Sequence, residues 1–128
     1  MREPRRCSGT VLLVEDQENV RRSVALVLDR LGYRVLEADC GPQALTVAAS
    51  CSDRIDLLLT DVVMPGMTGP SLAEHLRQQT PGMKVLYMSG YTDDVAGRHG
   101  VLDGRAAYLQ KPFGTDRLAT KIHEVLEG

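Results

Sequence analysis

The chain has 128 residues, of which 43% are hydrophobic and 25% are charged, with a formal net charge of −2. These proportions suit one globular domain with a full core, and the weak negative charge argues against a nucleic-acid-binding surface. No apolar run approaches the roughly 20 residues needed to cross a bilayer, and the first residues lack the apolar segment of a signal peptide. A cytoplasmic protein without membrane contact is expected.

Five short apolar runs alternate with helical patterns along the chain, after a tail over residues 1–9 that is expected to be flexible. The runs are VLLVED, YRVLEA, IDLLLTD, KVLYMSG and AAYLQKPF. Between the last two runs, Gly97 and Gly100 interrupt the helical pattern, and each costs about 1 kcal/mol relative to Ala in a helix interior. The segment from Thr92 to Gly104 is therefore predicted to be the loosest part of a single domain over residues 10–128.

Helix boundaries can be assigned from individual residues between the runs. Gly32 can terminate the first helix, and Pro42 is placed in the first turn of the second. Pro70 opens the third helix, and Thr115 can cap the last one. Each run is thus predicted to be a strand connected to the next by a crossover.

The pattern of the runs predicts the fold. Nearly continuous apolar strands are buried on both faces, and strict alternation with helices implies right-handed crossovers into a parallel sheet. The expected architecture is a three-layer α/β/α domain with a doubly wound, five-stranded parallel sheet in the order 2-1-3-4-5. Ligands of such sheets bind beyond the carboxyl ends of the strands, where the strand order reverses.

Polar side chains stand at the carboxyl ends of four predicted strands. Strand one ends in Glu15 and Asp16, strand three in Asp61, and strand four in Ser89, while strand five leads into Lys111. Two carboxylates about 4 Å apart repel by roughly 4 kcal/mol at an effective dielectric constant near 20, so the acids require a cation. Carboxylate oxygens in a small ligand set favour Mg²⁺. A site that accepts a phosphoryl group, with Asp61 as the nucleophile, is predicted.

Cysteines and histidines show no pattern of a metal site. Cys7, Cys40 and Cys51 are odd in number and form no CxxC pair, so free thiols are expected. The three histidines are scattered along the chain without neighbouring ligands at suitable spacing. Mg²⁺ at the acidic residues is the only cofactor that the sequence indicates.

Four motifs in order give the chain a family resemblance. VLLVEDQE, LLLTDVVMPGMTG, VLYMSGY and YLQKPF, within residues 10 to 127, resemble the motifs of receiver domains of bacterial two-component response regulators. The resemblance implies the flavodoxin-like form of the predicted fold. It also implies that Asp61 is the phospho-accepting aspartate and that Lys111 pairs with the phosphoryl group. Two differences from the usual pattern, Glu15 in place of Asp and Gly90 in place of Ala, remove no required oxygen.

The resemblance also implies the metal ligands and the switch residues. Glu15, Asp16 and Asp61 would hold Mg²⁺ together with the backbone carbonyl of Val63. Ser89 matches the hydroxyl that turns toward the phosphoryl group, and Tyr108 matches the aromatic switch. The bond between Lys111 and Pro112 resembles a cis peptide of the family. The face formed by the segment Thr92–Gly104, strand five and the last helix would change on phosphorylation.

Three other functions are alternatives to this interpretation. A phosphohydrolase that forms an aspartyl phosphate needs an acid two residues after the nucleophile, and that position is Val63. A flavin or dinucleotide carrier needs a glycine-rich or hydroxyl-rich loop after strand one, where the sequence EDQENV is acidic. A pseudo-receiver that never takes phosphate remains an alternative, although the complete set of polar residues argues against it.

The expected role is that of a signalling domain in a two-component system, which catalyses its own phosphorylation and dephosphorylation and is not otherwise an enzyme. Its expected partner is a histidine kinase or a histidine phosphotransfer protein, and the domain is expected to be a monomer or weak dimer. No DNA-binding domain follows residue 128, so output is expected through protein contacts or a parent chain. A free-standing receiver and a receiver excised from a hybrid histidine kinase or phosphorelay protein both fit, and the downstream target is unknown.

Overall fold

A computed structural model describes residues 9–51, 54–89 and 107–127 of the chain. The predicted tail, except for Gly9, and the segment Thr92–Gly104 lie outside the described residues. The elements in order are β1 (Thr10–Val14), α1 (Glu18–Arg30), β2 (Arg34–Ala38), α2 (Gly41–Ser50), β3 (Leu57–Asp61), α3 (Gly69–Gln79), β4 (Lys84–Ser89), β5 (Ala107–Gln110) and the C-terminal helix (Thr115–Glu127).

The five strands form one sheet in which every neighbouring pair is parallel. Their order is β2-β1-β3-β4-β5, so the sheet reverses direction of winding at β1 and β3. The predicted doubly wound parallel sheet is therefore confirmed, including its strand order. The reversal places the carboxyl ends of β1 and β3 side by side at the rim of the sheet.

Both faces of the sheet are covered by helices, because alternate side chains of each central strand point to opposite faces. On one face, Leu12 and Val14 pack in a core with Ala44 of α2 and Leu72 of α3. The residues of the other core, which α1 and the C-terminal helix cover, include Val11, Leu13, Val24, Leu28, Leu118 and Ile122. The runs of apolar residues that predicted two-sided burial are thus divided between two cores.

The ends of the helices follow local signals in the sequence. α1 ends at Arg30, and Gly32 adopts a φ of +101°, the left-handed conformation that glycine accommodates without a Cβ clash. α2 and α3 each have proline in the first turn, as predicted. The side chain of Thr68 caps α3 by accepting a hydrogen bond from the Ser71 N–H at 3.2 Å. This cap was not predicted.

Three further expectations concern individual features. The peptide bond between Lys111 and Pro112 is cis, as the resemblance implied. Cys40 and Cys51 form no disulfide, whereas Cys7 lies outside the described residues. Among the helices in the described ranges, none has the length and apolar composition required to span a membrane.

Candidate functional site

A lysine joins two carboxylates at the rim where the sheet reverses. Nζ of Lys111 lies 2.8 Å from Oε1 of Glu15, to which it donates a hydrogen bond, and 2.7 Å from Oδ1 of Asp61. Glu15 is 0% exposed and Asp61 is 3% exposed, so the two acids are almost entirely removed from water. The residues that the sequence placed at the ends of strands one, three and five therefore form one cluster.

Asp16 completes an acidic group at the surface of this cluster. Carboxylate oxygens of Glu15, Asp16 and Asp61 all lie within 4.8 Å of one another, and Asp16 is the exposed member. Oδ1 of Asp61 is buried, and Nζ of Lys111 is its charged partner at 2.7 Å. Three carboxylates this close together fit a hard divalent cation, which binds oxygen ligands and retains several waters.

Burial and neighbouring charge perturb all three charged groups in the interior of the site. Burial, reinforced by the neighbouring Glu15, raises the pKa of Asp61 to about 7, and the positive charge of Lys111 only partly opposes this rise. Burial also disfavours the charged form of Glu15, but hydrogen bonds from Lys111 and from the Gln17 N–H outweigh it and lower the pKa of Glu15. Burial opposes the charged form of Lys111, and the two carboxylates outweigh it and raise the pKa of Lys111.

The predicted switch residues lie on the neighbouring strands β4 and β5. Ser89 is the buried last residue of β4, and its carbonyl accepts a hydrogen bond of 2.7 Å from the Lys111 N–H. Tyr108 of β5 lies in register with Tyr87 of β4, and their ring centroids are 5.4 Å apart with an interplanar angle of 34°. The hydroxyl oxygen of Tyr108 is buried. Ser89 therefore ends the strand beside Asp61, and Tyr108 lies one strand further from it.

The loop from Val62 to Thr68 folds back over the end of β3. The N–H of Gly69 donates a hydrogen bond of 2.8 Å to the Val62 carbonyl, which closes the loop. The side chain of Val63 is 49% exposed, whereas Met64 is buried beneath the loop. Val63, two residues after Asp61, therefore lies at the surface. The role of its backbone carbonyl as a metal ligand stays a prediction.

Two contacts to Glu15 were not predicted from the sequence. The Gln17 N–H donates to Oε2 of Glu15 at 3.0 Å, and Nη1 of Arg21 donates to the Glu15 carbonyl at 2.9 Å. Arg21 lies six positions after Glu15, in the first turn of α1, and this proximity is the only signal in the sequence that could have pointed to it. Backbone donors leave no signal at all, because every residue except proline has an N–H.

The chain matches one protein family over most of its length. The profile of the response regulator receiver domain matches residues 11–123. The chain is a receiver domain. Receiver domains belong to two-component signal transduction systems, in which they interact with histidine kinases or phosphotransfer proteins. The receiver fold, with its parallel strand order, agrees with the family.

Individual relatives of this receiver domain include both long and short proteins. It is 41% identical over 120 residues to "Sensor kinase CckA" of Brucella abortus, covering 94% of this chain and 13% of that protein. It is 31% identical over 116 residues to "Response regulator receiver protein CpdR" of the same organism, covering 91% of this chain and 95% of that protein. The receiver domain thus spans a small part of the sensor kinase and nearly all of the short relative.

A solved structure of the same type agrees with the fold of this receiver domain. The crystal structure of the "receiver domain from Hybrid Histidine Kinase CckA" is 34% identical and has a TM-score of 0.76. The match covers 92% of this chain and 99% of that one. The two folds therefore correspond over almost their whole length.

Proposed function

We propose that this receiver domain accepts a phosphoryl group on Asp61 from a phosphohistidine of a histidine kinase or a histidine phosphotransfer protein. The observation that carries the proposal is the cluster itself, in which the nearly buried Asp61 lies 2.7 Å from the ammonium group of Lys111. An isolated buried carboxylate costs stability, and a role as nucleophile accounts for its position.

In the proposed reaction, a carboxylate oxygen of Asp61 attacks the phosphorus atom as the bond between phosphorus and the histidine nitrogen breaks. The product is an acyl phosphate, and the nitrogen leaves with its electron pair. Lys111 balances negative charge beside Asp61 and is positioned to pair with the transferred group. Glu15 holds Lys111 in place from the other side, through the hydrogen bond of 2.8 Å.

The acidic group is proposed to hold Mg²⁺ through Glu15, Asp16, Asp61 and the backbone carbonyl of Val63. When bound, the ion would offset the mutual repulsion of the carboxylates and the charge of the phosphoryl oxygens. The closeness of the three carboxylates, whose oxygens lie within 4.8 Å of one another, supports this assignment. The exposed position of Asp16 supports entry of the ion from solvent.

Ser89 and Tyr108 are proposed to transmit the change at Asp61. The Ser89 hydroxyl would donate to the new phosphoryl group, and the ring of Tyr108 would then move. The register of β4 with β5 supports this coupling, because it places Tyr108 next to the strand that ends in Ser89. The proposed output face comprises β5, the C-terminal helix and the segment Thr92–Gly104, of which the last lies outside the described residues.

A phosphorelay is the proposed setting for this receiver domain. The 41% identity to the sensor kinase, compared with 31% to the short receiver protein, supports this setting. We propose a cytoplasmic location and a monomer or weak dimer, without membrane or nucleic-acid contact. Apart from its own phosphorylation and dephosphorylation, no further catalysis is proposed, since Val63 occupies the position where a phosphohydrolase needs an acid.

Phosphorylation with a small donor tests the assignment of Asp61. In the presence of Mg²⁺ and acetyl phosphate, the domain should gain one phosphoryl group that is labile to hydroxylamine, as measured by intact mass. Asp61→Asn should abolish this gain, because an amide cannot act as the nucleophile. Asp39→Asn is the matched control, since Asp39 follows β2 and lies outside the acidic group. Unchanged labelling of the Asp61 variant would refute the assignment.

A further inference from the structure

Arg21 connects three elements next to the acidic group, and the proposed phosphorylation makes no use of it. From the first turn of α1, its Nη1 donates to the Glu15 carbonyl at 2.9 Å. Its Nε lies 3.3 Å from Oε1 of Glu37 on β2. The side chain of Arg21 is only 18% exposed, so the guanidinium is held between the end of β1 and the edge strand.

The carbonyl that Arg21 contacts belongs to the peptide unit joining Glu15 to Asp16. The Glu15 side chain has its own anchors, since Lys111 and the Gln17 N–H each donate to one of its oxygens. The Asp16 carboxylate is exposed and, in the described part of the chain, makes no hydrogen bond or ion pair. The position of Asp16 therefore depends on the orientation of its backbone, which the contact from Arg21 restrains.

We propose that Arg21 is a positioning residue for Mg²⁺ binding. By holding the peptide between Glu15 and Asp16, it keeps the Asp16 carboxylate within reach of Asp61. Residues that orient metal ligands without touching the metal commonly contribute 10- to 100-fold to metal affinity. This inference rests on the proposed function, because it assumes that the acidic group binds Mg²⁺.

The positive charge of Arg21 and its proposed positioning role predict opposite effects of its removal on Mg²⁺ affinity. Arg21 carries a positive charge close to the acids, so its removal should strengthen cation binding if charge alone matters. If Arg21 positions Asp16, its removal should weaken binding despite the more negative site. Arg22 offers a matched control, since it is exposed on the same helix, pairs with Glu18 at 2.8 Å and carries the same charge.

The experiment is a calorimetric titration of the metal-free domain with MgCl₂. We expect Arg21→Gln to weaken Mg²⁺ binding about tenfold. Arg22→Gln removes the same charge without the contact, and we expect its affinity to stay within about twofold of the parent domain, as for an exposed charge screened by solvent. Thermal unfolding in EDTA establishes that each variant is folded at the titration temperature.

If Arg21→Gln does not fold, Arg21→Lys tests whether Arg21 positions Asp16 for Mg²⁺ binding. Lysine keeps the charge but lacks the planar fork that holds Glu15 and Glu37 together, so we expect several-fold weaker Mg²⁺ binding. Affinity equal to or tighter than that of the parent domain in every folded Arg21 variant would overturn the inference and leave the proposed function intact. Equal weakening by Arg22→Gln would overturn it too. Absence of Mg²⁺ binding by the parent domain would overturn both proposals.

Discussion

Asp61 is the residue at which function and stability conflict. It ends β3 in the sheet, and burial raises its pKa to about 7, with Glu15 reinforcing the rise and Lys111 opposing it. A carboxyl whose pKa rises on folding keeps its proton in the folded domain over a pH range where the unfolded chain has lost it. Without a metal, the ionised form of Asp61 therefore costs stability.

The metal-free domain should lose stability as pH rises from about 4 to about 7. Because the pKa of Asp61 rises from 3.8 to about 7 on folding, the loss occurs between those two values. The free energy of unfolding falls by at most about 1.4 kcal/mol per pH unit. Folding lowers the pKa of Glu15. The stability that ionised Glu15 contributes is therefore lost only as pH falls below the ordinary value of 4.5. Urea unfolding in EDTA at several pH values measures the profile.

Asp61→Asn is the control for this pH dependence, since it removes the titrating group and retains similar volume. Its stability should change less over the same window than that of the parent domain. The two proteins share every other titratable group, so effects of those groups cancel to a first approximation in the difference between the two profiles. Parallel profiles would show that Asp61 does not cause the effect.

At the scale of elements, the connection between β3 and α3 depends on close approach of backbone to backbone. A Cβ at Gly69 would overlap the carbonyl oxygen of Asp61 and lie 3.2 Å from Cε1 of Tyr87. Gly69 is also the first residue of α3, and its N–H closes the loop onto Val62. A side chain here would push the start of α3 away from Asp61.

Gly69→Ala should destabilise the domain by about 1 to 3 kcal/mol, the usual cost of overpacking a tight site. Helix propensity alone predicts the reverse, since alanine is favoured over glycine by about 1 kcal/mol within a helix. Gly114→Ala is the matched control, because a Cβ there meets no atom within 4 Å. Urea denaturation midpoints measure the stability of the two variants. A Gly69 variant as stable as the Gly114 variant would contradict the packing argument.

At the scale of the whole molecule, the parallel sheet brings acids from distant segments to one rim, and their repulsion links metal binding to folding. Any ligand that binds only the folded domain stabilises it by mass action. Carboxylate oxygens of Glu15, Asp16 and Asp61 within 4.8 Å of one another should therefore make the unfolding temperature depend on Mg²⁺.

Asp16→Asn should reduce the increase in unfolding temperature produced by Mg²⁺. In EDTA the same variant should be as stable as the parent domain or more stable, because one charge has been removed from a group of like charges. Thermal unfolding with and without Mg²⁺ measures both effects. Asp39→Asn, outside the acidic group, should keep the full response to Mg²⁺. A full response in the Asp16 variant would remove Asp16 from the proposed site.

The sequence by itself determined the strands and the residues at the rim, whereas the strand order followed from the family resemblance. Side chains alternate between faces, so a strand covered on both faces must be apolar at nearly every position, and VLLV and LLL show this directly. Parallel strands end at the same edge, so Asp61 could be placed with Glu15 and Lys111 before any distance was known. These are consequences of local pattern and chain topology.

Only the tertiary structure decided how these residues contact one another. Lys111 and Glu15 are 96 positions apart, and whether one lysine reaches two acids depends on strand register and side-chain direction. The burial that raises the pKa of Asp61, the contact from Arg21 to the Glu15 carbonyl and the overlap that excludes a side chain at Gly69 likewise depend on atoms of other elements. Desolvation and steric contact are properties of the packed chain, and no residue carries them alone.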